Sequence, residues 1–477
     1  MRRPKRLPDR RNDMMVEFPW DDLRRLTGLA DYNTRVVLLG SLLLGLVSGA
    51  VGSFMVLRKR AMISDVVSHA ALPGIVAAFM VLTVLGGDGK SWLALLTGAL
   101  ISGLLGMAAV HAITTHARVK QDAALGVVLS VFFGAGVVLL GFTQRMKSGS
   151  SAGLESFIYG KTASMLASDA WLLAGSALAA TVICLAFFKE FRLVCFDAEF
   201  ARAQGWPVRR VDALLTGLVV VVTVIGLQAV GLILMIALLI TPAVTARFWT
   251  DRLGSMVIIA SGLGALACVT GAALSALYPR VPAGSVIVLS CSTLFLIGLL
   301  FGRRRGLVPE AWRRIRLAAR TERHHVLRAV YEQWEQRGVQ GFHAHAGTGS
   351  VLVSAGDLAA VRRWSEARLQ RVLREAAADG DVELDAWPLV RLTSRGMSHA
   401  RQLVRNHRLW EWYLIQHAEV DPHHVDRDAD EIEHVLGAAM VRELEATLPG
   451  RLSGAELPSS PHPLTDTEEA GWRKGPA

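Results

Sequence analysis

Two carboxylate–histidine pairs and one acidic cluster carry the residue types that bind divalent cations. Asp65 and His69, in the run SDVVSHAALPG at 64–74, are four apart and share one face of a helix. A carboxylate and an imidazole together suit Mn²⁺, Zn²⁺ or Fe²⁺. In an apolar segment such residues mark a pathway or a buried pair. The same spacing also fits an interfacial capping aspartate and a histidine satisfied by backbone. Pro73-Gly74, just beyond, predicts a helix break, and broken helices near the bilayer midplane are where transported ions are handled. His407 and Glu411 repeat the i, i+4 spacing. Asp430, Glu433 and His434 place two carboxylates and an imidazole on one helical turn, although the surrounding DRDADEIEH also reads as a solvated acidic face. His325 lies in an amphipathic helix further upstream.

The elements that must position these residues fall into two parts. The chain has 477 residues, is 52% hydrophobic and only 19% charged, and carries a net charge of +10. A soluble chain is about 45–50% apolar and about 25% charged. Residues 1–305 hold 29 Lys+Arg and 16 Asp+Glu, and residues 306–477 hold 22 and 25. The first part is thus +13 and mostly apolar runs, and the second is −3, which excludes both a single soluble enzyme and a purely membrane-embedded chain. The expected fold is mainly α. A polytopic helical membrane domain of eight or nine spans precedes a cytosolic part, which the second resemblance below implies is a winged helix-turn-helix with a helical metal-binding and dimerisation domain. The expected boundaries are a basic tail at 1–34, the membrane domain at 35–305, the winged part at 306–392, the metal-binding helices at 393–449 and a disordered tail at 450–477.

Nine apolar runs are long enough to span a bilayer, at 35–57, 66–86, 92–113, 123–143, 170–188, 211–227, 230–248, 254–277 and 284–302. The sixth and seventh nearly merge, which leaves eight as the alternative count. Alternate loops carry Arg58-Lys59-Arg60, then Arg118 and Lys120, then Lys189 to Arg210, then Arg247 and Arg252, then Arg303-Arg304-Arg305. The excess of Lys and Arg in cytoplasmic loops places these loops, and the C-terminal domain, on the cytoplasmic side of an inner or plasma membrane. An odd span number then puts residues 1–34 outside, while their Arg and Lys favour the inside. No apolar run precedes residue 35, so no cleavable signal peptide is expected.

Several simpler chemistries drop out. The four cysteines have no CxxC spacing and imply neither a disulfide framework nor a zinc finger. Gly89-Lys90-Ser91 looks like the end of a phosphate-binding loop, but the glycine needed five residues before Gly89 is Val84. No nucleotide site of that kind is expected in this chain. No HExxH occurs, which argues against an intramembrane metalloprotease. In the second part, residues 310–336 read as an amphipathic helix, 354–378 as two short helices around Trp364-Ser365, and 380–392 as a short β-wing. Segments 396–418 and 423–448 read as two more helices.

Three membrane-domain segments carry a resemblance. SDVVSHAALPG, the Gly205-containing loop FDAEFARAQGWPVRR and LLITPAVTAR follow in the order found in permease subunits of manganese, zinc and iron ABC importers. The resemblance covers about 35–302. It implies a metal path lined by Asp65 and His69, and a permease that forms a homodimer or pairs with a related permease. It also implies a docking loop, with Glu199, Gly205 and Arg209 as contacts, for a separate cytosolic ATPase. An extracytoplasmic metal-binding protein would deliver the cation.

A second resemblance covers about 320–449. HHVLRAVY, a helix-turn-helix, VRLTSRG, RNHRLWEW and DADEIEHVL are similar to the diphtheria-toxin-repressor family of metal-dependent regulators. It implies a cytosolic metal set of His325, His407, Glu411, Asp430, Glu433 and His434. Asp426 stands where the family has a histidine, with His424 nearby as a substitute. The oxygen-rich set favours Mn²⁺. Arg362, Arg363, Arg368, Arg371 and Arg374 crowd the recognition helix, but Glu366 and Glu375 interrupt the stripe and the domain is net acidic, so DNA is the weaker expectation as a partner. The expected function is a membrane permease for a divalent transition metal, leaning to manganese, with a cytosolic metal-sensing domain. The alternative is a membrane-tethered, metal-dependent DNA-binding regulator.

Overall fold

The computed structural model describes residues 32–86, 91–143, 167–277, 281–340, 352–362, 364–384 and 387–417. The chain divides into two compact units, Met1–Glu310 and Ala311–Ala477. The first unit contains the helices α1 (Tyr32–Leu57), α2 (Ile63–Val84), α3 (Trp92–His116), α4 (Gln121–Thr143) and α5 (Ala167–Ala186). Two short helices follow, α6 (Phe188–Phe196) and α7 (Ala198–Ala203). Then come α8 (Val208–Val230), α9 (Leu232–Trp249), α10 (Leu253–Leu277) and α11 (Ala283–Phe301).

Among the described residues, eight helices are long and apolar enough to cross a membrane. The apolar stretch of α9, Leu234–Trp249, is shorter. The sixth and seventh runs, which nearly merge in sequence, are two separate helices. Gly231 separates them with φ +83° and ψ 171°, a backbone region open essentially only to glycine. The 18 residues of α9 span about 27 Å, close to the roughly 30 Å of a hydrocarbon core. It packs among α1, α10 and α11, with Met235, Leu238 and Leu239 fully buried.

Packing gathers the basic loops at one end of this bundle. Near the end of α1, Phe54 sets its ring against Phe188 and Phe191 of α6, and Val56 and Leu57 pack with Ala246 of α9 and Met256 of α10. The backbone N–H groups of Arg304 and Arg305, beyond α11, donate to the carbonyl of Phe248. The α2 and α3 backbones touch at Gly74 and Gly98, while Ala70 lies against Gly106, an antiparallel pairing that returns α3 to the same end. The five basic connections expected to share a side therefore do share an end, and α9 runs back to it from the opposite one.

The second unit builds on α12 (Leu307–Gln340), whose first turn lies before the boundary. It continues with β1 (Val353–Ser354), α13 (Ala355–Arg362), α14 (Glu366–Ala378), β2 (Val382–Glu383), β3 (Leu389–Leu392) and α15 (Ser394–His417). The antiparallel sheet has the order β1-β3-β2, with Val353 opposite Val390 and Val382 opposite Leu392. Sequence periodicity indicated the wing and the paired short helices, but β1, at two residues, is too short to show a period. Val326, Leu327, Val330, Leu369, Leu373 and Val404 form part of one core joining α12, α14 and α15. The expected helix at 423–448 and both tails lie outside the described residues.

Candidate metal path and cation-binding pair

In α2, Asp65 occupies the first turn and His69 the next, toward the basic end of the bundle. His69 Nε2 lies 3.3 Å from Asp65 Oδ1, and the two side chains are 19% and 31% exposed. The His69 ring also meets Phe133 of α4 edge-on, with ring centroids 4.8 Å apart. Its Nδ1 is buried and without a hydrogen-bond partner among the described residues, as are the hydroxyls of Ser64 and Ser68 beside it. Asp65 does not cap the helix; Met62 is the N-cap and makes no side-chain cap bond.

The helix does not break at Pro73. It runs through from Ile63 to Val84 with the proline inside it. Proline has no N–H to offer the carbonyl four residues earlier, so the carbonyl of His69 lacks its helical donor. The continuous helix thus carries a carboxylate, a buried imidazole nitrogen and a carbonyl oxygen without its helical donor within successive turns. These are N and O donors suited to a borderline divalent cation. Among the described residues, no three His, Cys, Asp or Glu side chains are grouped to hold a metal ion.

The Gly205-containing loop forms a built element. Asp197 caps α7 by accepting from the backbone N–H groups of Glu199 and Phe200. Gly205, at φ +81°, ends it with its N–H bonded to the carbonyl of Arg202. Buried Ala201 anchors α7, while Glu199, Gly205 and Arg209 are exposed. Sequence reasoning missed the exposed aromatic side chains Phe196, Phe200 and Trp206 beside them. It also missed the tie beneath. Arg58 donates to the carbonyl of Val194 at 2.8 Å and to Asp212 Oδ2 at 2.7 Å. Arg60 lies 3.4 Å from the same oxygen, and burial lowers its pKa although Asp212 pulls it up. Burial also pushes the Cys195 thiol, at this junction, up to about 12.

In the second unit, His407 and Glu411 are both buried on α15, with Nε2 to Oε1 at 3.2 Å. Arg328 of α12, 3% exposed, reaches His407 Nδ1 at 2.6 Å. An arginine has only donors, so Nδ1 is the acceptor and the neutral ring carries its proton on Nε2, facing Glu411. Arg328 Nε also lies 3.1 Å from Glu332 Oε1. His407 of this pair thus already meets one cation, the Arg328 guanidinium. His325 is half-buried on α12. Asp430, Glu433 and His434, with His424 and Asp426, lie outside the described residues, so of the six-residue set only His325, His407 and Glu411 are described. Of the basic stripe on the recognition helix, Arg368 is paired with Glu322.

Comparison with known proteins decides the family. Residues 30–302 match the ABC 3 transport family, more than half of the chain. The chain belongs to this family. With eight membrane-length apolar helices, this ABC 3 transport protein is a multi-pass membrane protein. It is 39% identical over 396 residues to the manganese transport system membrane protein MntC of Bacillus subtilis, covering 83% of this chain and 87% of that protein. It is 42% identical over 289 residues to the zinc transport system membrane protein TroC of Treponema pallidum, covering 61% and 95%. Among solved structures it resembles PsaBC from Streptococcus pneumoniae in complex with Fab, at TM-score 0.52 and 32% identity, covering 60% of this chain and 96% of that one. Residues 393–449 match the iron dependent repressor metal binding and dimerisation domain. The match to the Bacillus protein is longer than the whole first unit and therefore extends into the second.

Proposed function

We propose that this chain is the permease of an importer for a divalent transition metal, with manganese preferred over zinc or iron. The observation that carries the reading is the Asp65–His69 pair with its buried, unpartnered Nδ1 and the carbonyl freed by Pro73. Cargo would meet oxygen and nitrogen donors that hold it without enclosing it, which favours passage over storage. The relatives named above, two of them titled as manganese and zinc transport proteins, support the cargo class.

Transport against a gradient requires an energy source, and α7 with Glu199, Gly205 and Arg209 is the surface proposed to engage a separate cytosolic ATPase. An extracytoplasmic metal-binding protein would deliver the ion, and two permease chains, identical or related, would enclose the path. The basic end of the bundle faces the cytoplasm by the excess of Arg and Lys there, which carries the second unit to the same side. That unit is proposed to sense metal through His325, His407, Glu411, Asp430, Glu433 and His434, and to restrain uptake when filled.

The test is metal uptake by cells carrying Asp65→Ala or His69→Ala, alongside Glu433→Ala/His434→Ala. Loss of uptake in the first two is expected; normal uptake rejects the path. The double variant should take up metal normally and lose its response to excess metal. An unchanged response rejects the sensor.

A further inference from the structure

The described cation-binding pair of the second unit is already engaged by a positive charge from the protein's own chain. His407 and Glu411 stand on α15 and Arg328 comes from α12, and all three side chains are buried. We propose that Arg328 is a displaceable internal cation, which holds His407 until a divalent metal takes the pair and so sets the metal concentration at which this unit responds. The proposal rests on reading the second unit as a metal sensor.

The ring chemistry makes the two cations exclusive. The Nδ1 lone pair that accepts from Arg328 is the one a metal would use on that side of the ring. A metal arriving instead at Nε2, next to Glu411, can bind only the other neutral tautomer, in which the ring's single proton has moved from Nε2 to Nδ1. That N–H would face a guanidinium N–H at 2.6 Å, donor against donor. Binding at either nitrogen therefore expels the arginine. A divalent ion and a guanidinium a few Å apart in a buried site also repel each other strongly.

A displaced guanidinium needs somewhere to go. Glu332, one turn along α12, is 3.1 Å from Arg328 Nε and 16% exposed, against 3% for the arginine. It offers a retaining partner nearer to solvent. Exchange would convert a link between α12 and α15 into a link within α12, so metal would alter how these two helices are joined. Since Arg328 and His407 are 79 residues apart, the exchange couples distant parts of the unit.

The experiment uses the full chain in detergent with Mn²⁺ alone as the probe. Bound and free ion are separated by the electron paramagnetic resonance signal of free Mn²⁺, and thermal unfolding is followed by tryptophan fluorescence. Arg328→Gln is expected to bind the His407-dependent equivalent at least about tenfold more tightly than the unaltered chain, within the range that shell substitutions have on metal sites. Its unfolding temperature should also rise more on adding Mn²⁺. Unchanged or weaker affinity, with the equivalent still abolished by His407→Ala, overturns the exchange and leaves the metal site standing. If His407→Ala removes no equivalent in either background, the metal reading of the pair falls as well. Arg328→Met, which keeps an apolar stem, is read in the same way if Arg328→Gln does not fold.

Discussion

Arg58, just past the end of α1, donates to Asp212, near the start of α8, at 2.7 Å across 154 residues of sequence. The same guanidinium holds the carbonyl of Val194 in α6. One side chain thus ties the bundle to the α6–α7 segment that leads to the proposed docking surface. Rigid coupling of that surface to the helices is what an energy-driven transporter needs.

Asp212→Asn keeps the shape and removes the charge that pairs with Arg58 and Arg60. The side chains of Arg58 and Asp212 are 12% and 19% exposed, so screening is incomplete. The substitution is expected to cost about 2 kcal/mol. Thermal unfolding of the purified chain measures the loss. Uptake should fall further than the drop in folded protein explains, because the docking segment would no longer move with the bundle.

Pro73→Ala separates stability from transport. The new N–H can complete the helical bond to the His69 carbonyl, which should stabilise α2 by about 1 kcal/mol. The same bond removes the spare oxygen beside the imidazole. A higher unfolding temperature together with slower metal uptake is the expected outcome. Faster or unchanged uptake removes the carbonyl from the path.

Gly231→Ala tests the break between α8 and α9. At φ +83° and ψ 171° a Cβ is strained wherever it points, and the expected cost is about 1–3 kcal/mol. Equilibrium unfolding reads it directly. An unstrained alanine would mean that α8 and α9 join without the sharp reversal.

Cys195 predicts a pH signature. Burial raises its thiol to about 12, with Arg58 and Arg60 pulling down and Asp212 pushing up. The folded thiol stays protonated through pH 9, where an unfolded one ionises. Its contribution to stability is therefore complete below about pH 9 and is lost as pH rises toward 12. In a chain keeping Cys195 as its one cysteine, iodoacetamide at pH 8.5 should react far more slowly in the folded state than after unfolding in detergent, since the thiolate is the nucleophile.

Much of this was legible without coordinates because it is local. The spacing of Asp65 and His69 already placed them on one face, and the apolar runs already marked the helices that cross the bundle. Residues 380–392 alternated as a wing does, and Gly205 already marked the end of the short helix. Each depends on a repeat within a few residues, and helix and strand periods are properties of the backbone itself. The run SDVVSHAALPG carried the family resemblance, which the match over 30–302 establishes.

Other features required the packed chain. Pro73 signalled a break, but α2 runs through it among its packed neighbours, which leaves the His69 carbonyl without its helical donor. Residue order alone did not show that Arg58 meets Asp212, that α9 returns to the basic end, or that Phe133 covers His69. The second unit shows the difference most clearly. The sequence by itself determined that His407 and Glu411 would lie side by side, since four residues of helix bring them together. Only the tertiary structure decided that Arg328 of α12 meets His407, because a buried charge is matched by whichever helix packs across from it.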